Sequence, residues 1–144
     1  METLSLSDLQ YLEQFIDKSE TCLISSIDID GYPQTRAVTG IRTKDDGIKR
    51  FYFSTKTSSQ KVQQFKKNPN ACVYFYDPMR FIGIMCIGTM EISQRDEDKR
   101  KVRKEGDETY YPKGFNDPDF SVLLFTTKKI RRDNNLYIRE FEID

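Results

Sequence analysis

The sequence predicts a mainly β fold, an antiparallel barrel or sandwich of six to seven strands with peripheral helices. Three observations carry this. Strand-like runs are separated by tight-turn signals, above all Asp30-Gly31 and Asp46-Gly47, the dipeptides that hairpins favour. Helical periodicity is confined to the N-terminus and two short stretches further on. The run Phe81-Ile-Gly-Ile-Met-Cys-Ile-Gly88 is apolar throughout, without the alternation of a strand that has one wet face. Both its faces are therefore expected to be covered, one by the core and the other by a second subunit or by the rest of a larger barrel. The length of 144 residues is that of one domain, spanning 1–144, and such a chain buries roughly two thirds of its unfolded surface without disulfides or structural metal.

The elements follow in order. Ser7 and Gln10 stand at capping-box spacing, and Leu9, Leu12, Phe15 and Ile16 form an apolar stripe, which predicts a first helix ending near Ser19. Cys22–Asp28 and Gln34–Arg42 flank the Asp30-Gly31 turn, and Lys49–Ser54 follows Asp46-Gly47. Ser58 or Ser59 caps a short helix with Val62 and Phe65 on one face, stopped by Asn68-Pro69. Ala71–Tyr76 and Phe81–Ser93 are strands around Asp77-Pro78. In the charged stretch Arg95–Glu108, the pairs Asp96/Arg100 and Glu97/Lys101 have the acid four residues ahead of the base, the better order for a solvated helix. Phe120–Thr127 and Leu136–Ile143 are the last strands, around Asp133-Asn134-Asn135.

Composition narrows the chemistry. Lys plus Arg and Asp plus Glu each number 23, so no basic excess points to nucleic acid or a membrane surface. No stretch has the length of a transmembrane helix, and METLSLSDLQ lacks a signal pattern. The expected location is cytoplasmic. There is no histidine, which excludes Ser-His-Asp and Cys-His catalysis and His-ligated zinc. Cys22, Cys72 and Cys86 lie scattered in apolar runs and read as buried small hydrophobes, neither a zinc ribbon nor a disulfide framework. An enzyme of this composition relies on a bound cofactor.

The segment Phe51-Tyr-Phe-Ser-Thr-Lys-Thr-Ser-Ser-Gln-Lys61 ends an apolar strand in hydroxyl residues and enters a helix with a lysine in its first turn. Free N–H groups and the helix dipole favour an anion there. Ser54, Thr55, Ser58 and Ser59 can donate to phosphate oxygens, and Lys61 adds a compact charge. Taken locally, the same segment also reads as an ordinary Ser-capped helix. Arg36 lies in the strand Tyr32–Thr39, sharing a face with Val38 while Ala37 and Thr39 share the other. It is either a half-buried arginine needing an anionic or electron-rich partner or an edge-strand side chain in solvent.

In sequence order, the first helix, "DGYPQTRAV", "FYFSTKTSSQK", "NPNACVYFYD", "GIMCIGTMEI" and "YYPKGFNDPDFSVLLFTTKKIR" resemble the FMN-binding split-barrel family of the pyridoxamine 5'-phosphate oxidases. The general stress protein branch is most similar, from about Leu6 to Ile143. The resemblance implies a homodimer with FMN at its interface. It places Arg36, Ala37, Val38 and Thr39 near the isoalloxazine, with Arg36 stabilising charge on the reduced ring, and Ser54, Thr55, Ser59 and Lys61 at the phosphate. Tyr110, Tyr111 and Phe115 either wall the flavin or simply pack. Three departures limit what is implied. Gln60 stands where the oxidases usually have an arginine, Gly83 where a glutamine approaches the ring, and the C-terminal "LYIREFEID" lacks the oxidases' Arg-, His- and Trp-rich substrate segment. The resemblance thus implies the fold and the flavin but not pyridoxamine phosphate chemistry. The expected function is an FMN-dependent oxidoreductase acting on an unidentified small molecule. The alternative is a non-catalytic flavin-binding stress-response or sensing module. A third possibility, haem or a deazaflavin as in some relatives, is weakened for haem by the missing histidine.

Overall fold

Hairpin chemistry sets the first half of the chain, as a computed structural model describing all 144 residues shows. Helix α1 (Leu6–Asp17) is capped by Ser5, whose hydroxyl accepts from the Asp8 N–H, so the cap lies two residues before the expected Ser7. Strands β1 (Cys22–Ile27) and β2 (Pro33–Val38) pair antiparallel across the Asp30-Gly31 turn. The expected continuation of β2 to Arg42 does not form. Gly40 takes φ +36° with its backbone against the Glu20 carbonyl, and the chain swings to a separate strand β3 (Thr43–Asp45). Asp46 and Gly47, both at positive φ, then turn β3 into β4 (Arg50–Lys56), the backbone that a tight hairpin requires.

Helix α2 (Gln60–Lys67) buries Val62, Gln64 and Phe65 and stops at Asn68. Strands β5 (Asn70–Asp77), β6 (Ile82–Ser93), β7 (Phe120–Asn134) and β8 (Tyr137–Glu142) complete one antiparallel sheet in the order β2-β1-β5-β6-β7-β4-β3, with β8 on β7. The sheet has eight strands where the sequence suggested six or seven, because β2 stops at Val38 and a further short strand, β3, forms beyond Arg42. Strand β7 also runs well past Thr127. It pairs β4 through Phe120–Thr126 and β8 through Lys129–Asn134, while holding β6 along its length. The change of partner falls at a bulge where Lys128 is the extra residue. There a Cβ on Gly88 would meet the Thr126 carbonyl oxygen at 1.9 Å, so glycine lets the two backbones close.

Inward faces of β1, β4, β5, β6 and β7 join α1 and α2 in one core around Ile24, Phe51, Val73, Phe75, Ile84 and Phe125. A second cluster on the other side of β4 and β7 packs Tyr52, Phe120, Val122 and Leu124 under Val102 and Tyr111. Helix α3 (Asp96–Val102) is therefore shorter than the charged stretch and is not simply solvated, since Asp98, Lys99 and Val102 are buried. Its expected internal pairs give way to contacts with residues outside the helix. Lys101 reaches Asp45, and Asp98 accepts from Ser93 and Arg95.

Candidate functional site

The end of β4, the turn after it and the start of α2 form one side of a cleft of about 860 Å³. The turn is fixed from outside. Thr57 N–H donates to the Asp119 carbonyl (2.8 Å), Ser58 N–H to the Asp119 carboxylate (2.9 Å), and the Thr57 hydroxyl lies 2.6 Å from that of Ser121. Ser58 Oγ also donates to Asp119 (3.2 Å), which commits a hydroxyl that the sequence offered to an anion. The Asp-Pro-Asp segment thus serves as a clamp on the turn.

Ser59 is the N-cap of α2, yet its side chain makes no capping bond and lies 3.5 Å from the Thr55 hydroxyl. The Lys61 and Val62 amides have no carbonyl partner one turn back. Such open donors and the positive end of the helix suit an anion. Lys61 is half-buried, and its pKa is lowered first by burial and then by the field of Arg36.

Of the residues expected at the site, Val38, Thr39, Ser54, Thr55, Ser59 and Lys61 line this cleft; Arg36 and Ala37 do not. Ala37 is exposed on the other face of β2. Arg36 passes beneath the strand, donating to the Ile24 carbonyl (3.3 Å), Ser26 Oγ (2.9 Å) and Gln64 Oε1 (3.2 Å). Burial lowers its pKa, with no carboxylate opposing. Its partners are electron-rich and neutral, so two neighbouring cations share a half-buried corner without a counter-charge.

The cleft floor is apolar, formed by Ile24, Phe53 and Leu123. Opposite α2, residues Lys104 to Asp107 and Tyr110 and Tyr111 close it. Arg42 anchors this wall through Val102 O (2.9 Å) and an ion pair with buried Asp107 (3.1 Å). The sequence reading missed Arg42 and Asp107, which are far apart in the chain and carry no local motif. Tyr111 packs on Phe120 with ring centroids 4.6 Å apart, and burial raises its phenol pKa, Ser54 opposing. Phe115 lies under Arg103 instead, away from the cleft lining.

The remaining chemistry is sparse. Burial pushes the Cys22 thiol up to about 12 and raises Cys72 and Cys86 as well, so none is a thiolate nucleophile at neutral pH. No group of three or more Cys, Asp or Glu side chains is placed to hold a metal ion. No helix is long and apolar enough to cross a membrane.

The sheet topology and cleft are those of a split barrel. The family described as pyridoxamine 5'-phosphate oxidase matches residues 10–132, and the chain belongs to this pyridoxamine 5'-phosphate oxidase-like family. Among solved structures it is similar to a protein from Clostridium acetobutylicum related to general stress protein 26 of Bacillus subtilis. Identity there is 35%, coverage 96% of both chains and the TM-score 0.84. General stress protein 26 from Bacillus anthracis shares the fold at 16% identity, with 92% of this chain and 98% of that one covered and a TM-score of 0.75. A heme binding protein from Mycobacterium smegmatis shares it at 14% identity, covering 93% of this chain and 57% of that one, TM-score 0.74. No curated protein matches significantly.

Proposed function

We propose that the cleft binds FMN and that the protein is a flavin-dependent oxidoreductase for a small molecule. One observation carries this reading: Lys61, a half-buried cation without a carboxylate partner, stands at the uncapped start of α2 in an apolar-floored cleft, with the guanidinium of Arg36 close enough behind it for its field to be felt. The donor set suits a phosphate monoester. Lys61, Ser59, Thr55 and the first amides of α2 would hold the phosphate, and Ser54, Val38 and Thr39 line the space left for the rest of the ligand. The cleft volume is also of the size that encloses cofactor-sized ligands. Bound flavin would supply the redox chemistry, and the chain would supply binding and electrostatics. A haem reading lacks an imidazole to ligate iron, since the chain has no histidine.

We also infer a homodimer. The outward row Leu23, Tyr74 and Met85 and the adjoining Cys72 and Ile87 are apolar and only half-covered by the chain itself, which favours a second copy on this face. The site reading is tested by visible spectroscopy of the purified protein and titration with FMN. Flavin that co-purifies, or added FMN bound in one-to-one stoichiometry, is the expected result. A colourless protein that takes up no FMN overturns it. Anaerobic titration of the flavin-loaded protein with NADH and NADPH then separates a reductase from a non-catalytic flavin carrier.

A further inference from the structure

Arg36 is held in a closed triangle of neutral groups. A guanidinium only donates, so the Ser26 oxygen accepts from Arg36 and its own hydrogen points to Gln64. The Gln64 atom that faces both Ser26 Oγ and Arg36 Nη2 is the carbonyl oxygen, an acceptor for both. Ser26 is fully enclosed and Gln64 is 8% exposed, so water does not substitute for either. Gln64 follows Lys61 by three residues on α2, one turn along the same face. The same helix therefore offers Lys61 to the cleft and an anchor to Arg36.

A half-buried arginine is ordinarily matched by a carboxylate, and a glutamate would fit where Gln64 sits. That carboxylate would hold the guanidinium equally well and cancel its field. We propose that Gln64, with Ser26, is a positioning residue that fixes Arg36 beside Lys61 while leaving its charge unneutralised, so that the cation pair selects phosphate-bearing ligands over uncharged analogues. This rests on the cleft being the phosphate site proposed above.

The test is Gln64→Glu, close to isosteric, compared with the native chain for FMN and for riboflavin, which lacks the phosphate. The expected outcome is FMN affinity lowered by about tenfold or more, riboflavin affinity unchanged within about twofold, and thermal stability retained through the new ion pair. Gln64→Met, which removes the anchor and keeps the charge, should lose less FMN affinity. FMN binding unchanged in Gln64→Glu overturns the proposal, as does an equal loss for FMN and riboflavin, which would indicate a structural role only. A second readout is independent of flavin. NMR titration of the ¹³C-methylated lysines of the free protein should show Lys61 titrating at higher pH in Gln64→Glu than in the native chain. No movement would also overturn the proposal, whereas movement in a protein that fails to bind FMN would discard the flavin reading and leave the charge-preserving role standing.

Discussion

Lys61 carries its charge in a half-buried position beside another cation, and burial first, then Arg36, lowers its pKa below the usual lysine value. The folded chain therefore releases this proton at lower pH than the unfolded one. Between the two pKa values the unfolded state binds more protons, so the ligand-free protein gains stability as pH rises through that window. A bound phosphate acts the other way, because it favours the ammonium form. Lys61→Met should accordingly leave the thermal midpoint of the free protein unchanged or higher near neutral pH. The same variant should weaken FMN by about 1.5–3 kcal/mol through loss of a charge-assisted bond, measured by fluorescence titration. Native affinity in this variant would remove Lys61 from the site. Lys61 and Ser59 were legible as candidates because capping chemistry is local and the helix start is written in adjacent residues. The surroundings of Arg36 were not. Its partners Ser26 and Gln64 lie 10 and 28 residues away on different elements, and only the packing of α2 over β1 brings them together.

At the scale of elements, the hairpins and helix stops were readable because Asp-Gly turns and Asn68-Pro69 impose backbone geometry whatever surrounds them. Strand β7 shows where such reading ends. Its first half is apolar because both faces are covered, by the barrel core and by the cluster under α3. Its second half, Lys128–Asn134, is charged because Ile130 alone supplies an inward apolar side chain, and Arg132 covers the Tyr11 ring at 3.8 Å. Long cationic side chains lying on aromatic surface do the work of hydrophobes there, and no periodicity of apolar residues records it. The glycines of β6 test how tightly the elements meet. At Gly88 a methyl group would strike the Thr126 backbone, whereas at Gly83 it would strike the Tyr74 phenol, 2.0 Å from its oxygen. Backbone in a ladder cannot withdraw, but a half-exposed side chain can. Gly88→Ala should therefore destabilise by about 2 kcal/mol or more, and Gly83→Ala by less, on the scale of overpacked cores. Tyr74→Ala should rescue Gly83→Ala alone. Denaturant unfolding of the three single variants and of Tyr74→Ala combined with each glycine variant checks this, and equal costs at the two glycines would contradict the bulge as the tighter contact.

For the whole molecule, the accessible surface is 8724 Å² at 17.0 kDa, against about 7,700 Å² for a typical folded monomer of that mass. The excess is of the order of the ~800 Å² that each partner buries in a standard interface. A face for such an interface lies over β1, β5 and β6, where half-exposed Leu23, Tyr74, Met85 and Ile87 form an apolar surface with the cations Lys129 and Arg131 on the neighbouring positions of β7. Strand β6 is central in the sheet, which accounts for its inward apolar residues, but nothing within the chain accounts for Met85 and Ile87 pointing outward. A second copy on this face would explain both the surface excess and the unbroken apolar run that made β6 conspicuous in the sequence. The expected sedimentation behaviour is that of a dimer, with Ile87→Glu giving a folded monomer, because burying its carboxylate at the centre of the face costs more in desolvation than its cross-strand neighbour Lys129 returns. Flavin content measured on the same samples separates two arrangements. If the cleft is completed by the partner, the Ile87→Glu monomer should lose FMN although its own Lys61 and Arg36 are intact. A monomer that keeps FMN at native affinity would place the whole site within one chain.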